Sequence, residues 1–404
     1  EVEFALGHNG NLTNTQQLAE ETGMLPGTIT SDTDLVAELL EAELVKNPEP
    51  SADGRDLERA LMTVLPGLEG AFSFVLMDAG RIIGVRDPKG FRPLCLGRLD
   101  NGWVLASETP ALDVVGASFV REVAPGEMIV IDATGFRSIH PFPDDRIDPK
   151  LCVFEFVYFA RPDSQLYGQN VHAARLRMGA QLADQAPVAA DMVMGVPESG
   201  SPAAEGYARE SGTPFGQGLV KNRYIGRTFI APNQEMRALG VRMKLNPLRE
   251  NIAGKRLVVV DDSIVRGTTT RAMVRMLRES GATEIHMRIS SPPYRWPCHY
   301  GMDTGSRGEL LAANMTVDEI REYLDVDTLS YLGLERLATA TGATNAGFCD
   351  ACLSGEYPVA VPDRDGKHVL EDDSVPSESS VPVQLLVETD LPVDEARSGG
   401  TDGG

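Results

Sequence analysis

A chain of 404 residues, 42% hydrophobic and 24% charged, has room for two domains that each bury a core, and its formal charge is −22. So acidic a surface repels a phosphate backbone, which excludes general nucleic-acid binding, and no apolar run is long enough to span a membrane. These features predict a cytoplasmic protein with no nucleic-acid or membrane partner; its five cysteines are too few, and too unevenly spread, for a disulfide framework.

In chain order, an apolar stretch at 2–6 runs into His8-Asn9-Gly10-Asn11, which by itself reads as an ordinary Asn-Gly turn. Helices are predicted over 15–22 and 33–45, the second led by Ser31-Asp32-Thr33-Asp34, residue types that cap helix N-termini. "AFSFVLMD", "RIIGVRD" and "GWVLASE" then read as strands between Gly and Asp-Gly turns, so the first region is an α+β domain of layered sheets. "HPFPDDRIDPK" reads as the connection to a second region. There "DMVMGVPE", "RLVVVDDS" and "EIHMRISSPP" alternate with helical stretches, as in βαβ units around a parallel sheet. Beyond Val361 eleven acids face three basic residues in a Pro/Ser/Gly-rich tail, which is expected to be disordered.

"KRLVVVDDSIVRGTTTRAMVRML" carries the most specific chemistry. A buried strand delivers Asp261 and Asp262 at its carboxyl end, and three threonines open the following helix after Arg266-Gly267. Free N–H groups at that helix start suit a phosphate, Gly267 permits close backbone approach, and paired acids suit sugar hydroxyls or Mg²⁺. The unit looks built for a phosphorylated sugar. "VPESGSPAAEG" supplies a second Gly-rich loop after a strand, suited to pyrophosphate and metal. Over 219–256 nine Lys/Arg stand against two acids, a basic island that points to a small, highly charged anion.

"VVVDDSIVRGTTT" resembles the ribose-phosphate signature of type I phosphoribosyltransferases. With "HNGNLTN", "SDTD", "RDPKGFRPL", "CVFEFVYFARPDS", "GVPESGSPAAEGYA", "KNRYIGRTFI" and "FCDAC", nearly the whole ordered chain resembles the amidophosphoribosyltransferase family. The resemblance implies an α+β N-terminal-nucleophile glutaminase sandwich over 1–140, incomplete at its N-terminus, then a linker at 141–150. An α/β type I phosphoribosyltransferase domain with a central parallel sheet would follow over 151–358, with an acidic tail at 359–404. The implied reaction is the first committed step of purine synthesis: ammonia from glutamine attacks C1 of phosphoribosyl pyrophosphate, giving phosphoribosylamine, pyrophosphate and glutamate. By resemblance, Asp261, Asp262, Ser263, Val265, Arg266, Gly267, Thr268 and Thr269 hold the ribose phosphate. Glu198, Ser199 and Gly200 form the pyrophosphate loop, and Ser199, Asp261 and Asp262 surround one Mg²⁺. Lys221, Arg223, Tyr224 and Arg227 look like a flap closing over the pyrophosphate, assisted by Arg242 and Lys244. Purine nucleotides as inhibitors and a homodimer or homotetramer are also implied.

Cys349-x-x-Cys352 suits a zinc half-site, a redox pair or part of an iron–sulfur ligand set, and an all-cysteine zinc site is equally defensible from the residues alone. The cluster-containing branch of the family places cysteines in the same four contexts, so the resemblance implies a structural 4Fe-4S cluster on Cys152, Cys298, Cys349 and Cys352. Cys95 reads as a buried core thiol.

In the glutaminase half, the resemblance makes Asn9 and Gly10 the oxyanion donors and Asp32 the group that holds the glutamine α-amino group. The nucleophile of that class is a cysteine at the mature N-terminus, whereas the first residue here is Glu1 and no cysteine precedes Cys95. The expectation is an N-terminal truncation that is at most ammonia-dependent. A nucleobase-salvage phosphoribosyltransferase leaves the NGN and SDTD strings and four cysteines unexplained, and a non-catalytic sensor of phosphoribosyl pyrophosphate has no need of the basic flap.

Overall fold

The computed structural model describes residues 3–24, 29–46, 53–222, 245–302, 304, 306–343 and 347–361. The flap residues Arg223, Tyr224, Arg227, Arg242 and Lys244 and nearly all of the acidic tail lie outside the described residues.

The first domain has three layers. An antiparallel sheet runs in the order Ala5–Leu12, Gly70–Met77, Ile82–Arg86, Met128–Asp132, Gly135–Ile139. Helices Asp32–Val45 and Asp56–Val64 cover one face, where Val36, Leu40, Leu57 and Leu61 bury against Phe72, Phe74, Ile83 and Val130. The other face meets a three-stranded sheet, ordered Gly102–Ala106, Cys95–Leu99, Ser118–Glu122, through Leu96, Val123, Ile129 and Ile131. Side chains of successive strand residues point to opposite faces, so one strand serves two cores.

Three elements differ from what the sequence suggests. His8-Asn9-Gly10-Asn11 is no turn: it lies inside the strand Ala5–Leu12, paired in register from Ala5 opposite Met77 to Leu12 opposite Gly70. The partner strand supplies the backbone bonds that a turn would otherwise satisfy locally. Gly10 sits at φ 148°, and a Cβ there would come within 2.0 Å of the Ala71 carbonyl oxygen. Helices Asp56–Val64 and Thr109–Val115 were not anticipated. The first is amphipathic, burying Leu57, Ala60 and Leu61; the second is short and opens on Pro110.

Helix Asp32–Val45 starts as its residues dictate, with the Ser31 hydroxyl accepting from the Asp34 amide at 3.1 Å. The segment 141–150 packs closely: Phe142 is buried, and the Arg146 guanidinium lies 5.8 Å from its ring.

In the second domain four parallel strands run in the order Met192–Gly195, Arg256–Asp261, Glu284–Ile289, Thr328–Tyr331. Val258 and Val260 bury against helices Val171–Gln185 and Ser201–Ser211. Leu257 and Val259 bury with Met273 and Leu277 of helix Thr268–Glu279. A strand covered on both faces reads as an unbroken apolar run, as "RLVVV" does. Among the described residues no helix is long and apolar enough to cross a membrane.

Candidate active site

The strand Arg256–Asp261 ends on its two acids. The Asp262 amide donates to Asp261 Oδ1 at 2.9 Å, and the Ser263 hydroxyl to Asp262 Oδ2 at 2.6 Å. Burial and the neighbouring Asp262 charge push the Asp261 carboxyl well above the usual carboxylate range. A cation or sugar hydroxyls set between the two acids would relieve that strain, so the donor set fits Mg²⁺.

The loop that follows is fixed in place. Leu311 donates its amide to the Val265 carbonyl at 2.9 Å, and Arg266 Nε pairs with Glu309 Oε2 at 2.7 Å. Gly267 takes a left-handed φ of 73°, and a Cβ there would come within 2.6 Å of the Leu311 side chain. Helix Thr268–Glu279 then begins without a side-chain cap, so its first amides are free for an anion.

The second loop sits beside the first because Gly195 pairs with Val260 across the parallel strands. Gly200 is buried so closely that a Cβ would come within 2.3 Å of the Val260 carbonyl oxygen and 3.1 Å of Asp261 Cα. Ser199 is half-buried, and exposed Glu198 meets Lys221 Nζ at 3.4 Å. The peptide between Pro197 and Glu198 is cis.

The four cysteines singled out in the sequence converge. Cys152 and Cys349 are opposite each other on paired parallel strands, and all five cysteines are free thiols. Burial, helped by the nearby Cys298 sulfur, outweighs the opposing Arg92 charge and pushes the Cys152 thiol up to about 12; burial and the other three sulfurs push Cys352 up as well. The aromatic stack of Phe91 on Tyr300, 4.4 Å between centroids, helps to shield this centre. Among the described residues no group of three or more His, Cys, Asp or Glu is set to hold a single metal ion. Cys95 stands apart, buried in the three-stranded sheet of the first domain.

At the first-domain site, strand alternation turns His8 towards the helical layer, where its ring lies tilted against Phe74, and turns Asn9 and Asn11 the other way. Asp32 Oδ2 accepts from the Leu12 amide at 3.1 Å and lies 3.4 Å from His8 Nδ1. Burial pushes the Asp32 carboxyl up, but His8 and the amides of Leu12 and Thr33 outweigh it and hold the group below its ordinary value. It therefore stays ionised, as a partner for an ammonium group must.

The first-domain strand Ala5–Leu12 also contacts the second domain. Asn11 Nδ2 donates to the His299 carbonyl at 3.0 Å, next to Cys298. Sequence reasoning missed three buried charged residues here. Arg92 bonds Asn9 and pairs with Glu155 at 3.2 Å, and Arg175 donates to the Phe156 and Ala160 carbonyls. The signal was present in Glu155, a lone acid inside the aromatic run "CVFEFVYF".

Comparison with known proteins decides the family. Residues 1–114 match the glutamine amidotransferase domain and residues 167–290 the phosphoribosyl transferase domain. The amidophosphoribosyltransferase of Mycobacterium tuberculosis is 51% identical over 381 residues, covering 91% of this chain and 70% of that protein. The chain belongs to the amidophosphoribosyltransferase family. Members of this family are glycosyltransferases, EC 2.4.2.14. The relative from Bacillus subtilis strain 168 is 46% identical over 365 residues, covering 89% of this chain and 74% of its own. A solved structure of the B. subtilis enzyme, complexed with ADP and GMP, superimposes with a TM-score of 0.80 at 45% identity, covering 89% of this chain and 78% of that one. This family member therefore combines a glutaminase-type sandwich with a phosphoribosyltransferase domain.

Proposed function

We propose that this chain forms 5-phosphoribosylamine from phosphoribosyl pyrophosphate, as a cytoplasmic enzyme of purine synthesis. The observation that carries the reading is the pair Asp261–Asp262 beside the uncapped start of helix Thr268–Glu279, with the Gly200 loop at the end of the neighbouring strand. The helix amides and the Thr268 and Thr269 hydroxyls hold the ribose phosphate, while Asp261 and Asp262 take the sugar hydroxyls. Mg²⁺ held by Ser199, Asp261 and Asp262 would supply Lewis-acid neutralisation of the departing pyrophosphate. Glu198, Ser199 and Gly200 orient that group, and Lys221, at the edge of the basic segment, faces the same loop. Arg223, Tyr224, Arg227 and Lys244 complete the reading as the covering flap.

In the glutaminase half, Asn9 and Gly10 donate to the oxyanion and ionised Asp32 holds the substrate α-amino group. Cys152, Cys298, Cys349 and Cys352 fit a 4Fe-4S cluster, because each iron of a cubane takes one thiolate and the four sulfurs need not meet at one ion. The nucleotides in the B. subtilis complex support purine nucleotides as inhibitors, and a homodimer or homotetramer is the expected assembly.

The test supplies phosphoribosyl pyrophosphate, Mg²⁺ and ammonium at mildly alkaline pH and follows pyrophosphate release, then repeats it with glutamine. Release with ammonium is expected, because the phosphoribosyltransferase site is formed by described residues of the second domain. No release above background with either nitrogen source would sink the reading.

A further inference from the structure

Arg92 lies on the loop between strands Ile82–Arg86 and Cys95–Leu99, and its main chain is anchored on both sides. Its carbonyl accepts from the buried Ser73 hydroxyl at 3.1 Å and from Arg86 Nε at 2.9 Å. From that fixed point the buried side chain reaches across the domain boundary. Nε donates to Asn9 Oδ1 at 3.2 Å, Nη1 pairs with Glu155 Oε1 at 3.2 Å, and the guanidinium lies 4.7 Å over the Phe159 ring. The Cys152 and Cys298 sulfurs stand near enough to the same guanidinium to act on its charge.

A carboxamide has two ends of nearly equal shape and opposite polarity, and only the NH₂ end can serve an oxyanion. A guanidinium can only donate, so it binds the oxygen and leaves Nδ2 turned outward. In this structure Nδ2 reaches the Ser107 hydroxyl over a long 3.4 Å contact, so the donor is easily released to a stronger acceptor. We propose that Arg92 is a positioning residue that fixes which end of the Asn9 carboxamide faces the oxyanion, and that its ion pair with Glu155, which follows Cys152 on the same short segment, ties this orientation to the four-cysteine centre. The role of the Asn9 donor rests on the glutaminase reading above; the orientation of the amide does not.

The experiment reads the Asn9 side-chain NH₂ signals by ¹H–¹⁵N NMR, assigned by their loss in Asn9→Ala. Arg92→Met alone strands the buried Glu155 carboxyl and threatens folding, so the working variant is Arg92→Met with Glu155→Gln, a neutral pair of similar volume. The Asn9 pair is expected to be well separated in the natural sequence and to merge towards the positions of freely rotating carboxamides in the double variant. Arg92→Lys keeps a positive charge for Glu155 but lacks the planar fork, and is expected to restore thermal stability without restoring the Asn9 signals. Cys152→Ala should shift the Asn9 pair when Arg92 is present and leave it unmoved in the double variant. Asn9 signals unchanged by loss of Arg92 would overturn the positioning role, and signals unmoved by Cys152→Ala would overturn the link to the cysteine centre. Failure of the pyrophosphate assay would leave these readings intact and strike only the functional reading.

Discussion

Gly301 of the second domain packs directly on Gly10 of the first: a Cβ at Gly301 would stand 3.2 Å from both Gly10 Cα and its carbonyl carbon. Gly301 also holds φ at 117°, a conformation that an L side chain rarely adopts. Gly301→Ala is therefore expected to cost about 1–3 kcal/mol in a denaturant titration. It should also move the Gly10 and Asn11 amide signals more than those of strand Met128–Asp132, on the far side of the sheet.

The paired acids trade stability for chemistry. Asp261→Asn removes one of two mutually repelling carboxyls, so the metal-free protein is expected to unfold at the same temperature or higher. Pyrophosphate release with ammonium should fall by roughly 100-fold or more, the scale of losing one electrostatic stabiliser. A calorimetric scan alongside the assay checks both halves.

Asp87 gives the fold a dependence on pH. It is fully buried and accepts from the amides of Phe72, Lys89 and Phe91, yet burial pushes its carboxyl from an ordinary value near 3.8 up to about 6. A carboxyl raised on folding binds protons better in the folded chain, so its contribution is complete below about pH 4 and is lost as pH rises through about 6. The two values differ by about 3 kcal/mol in free energy. Asp87→Asn is expected to lower stability at pH 4, where it disrupts the amide contacts, and to flatten the slope between pH 4 and 6.

Iron content separates the cysteines. Cys152→Ser and Cys349→Ser are expected to abolish bound iron, acid-labile sulfide and brown colour, since the two lie opposite each other on paired strands. Cys95→Ser should keep all three, because Cys95 belongs to a different sheet. Zinc in place of iron and sulfide would reject the cluster.

Local chemistry was legible wherever neighbours in sequence are neighbours in space. Asp261, Asp262, Gly267 and Thr268 are consecutive parts of one strand, loop and helix, so their spacing already placed them together. Ser31 was readable as a cap for the same reason, because capping is a contact three residues long. The strand at His8-Asn9-Gly10-Asn11 is not legible locally because its partners, from Ala71 to Phe74, are sixty residues or more away. An Asn-Gly pair carries a strong local signal for a turn, and only the strand beside it outweighs that signal.

The sequence by itself determined the two kinds of domain and the strand–loop–helix unit that carries Asp261, Asp262 and Gly267. Their apolar periodicities and motif spacings act over a few residues. Only the tertiary structure decided that the strand Ala5–Leu12 leans on the second domain, through Arg92 with Glu155 and Asn11 with His299. A buried charge states that it needs a partner, but which partner it finds depends on how two separately folded cores meet.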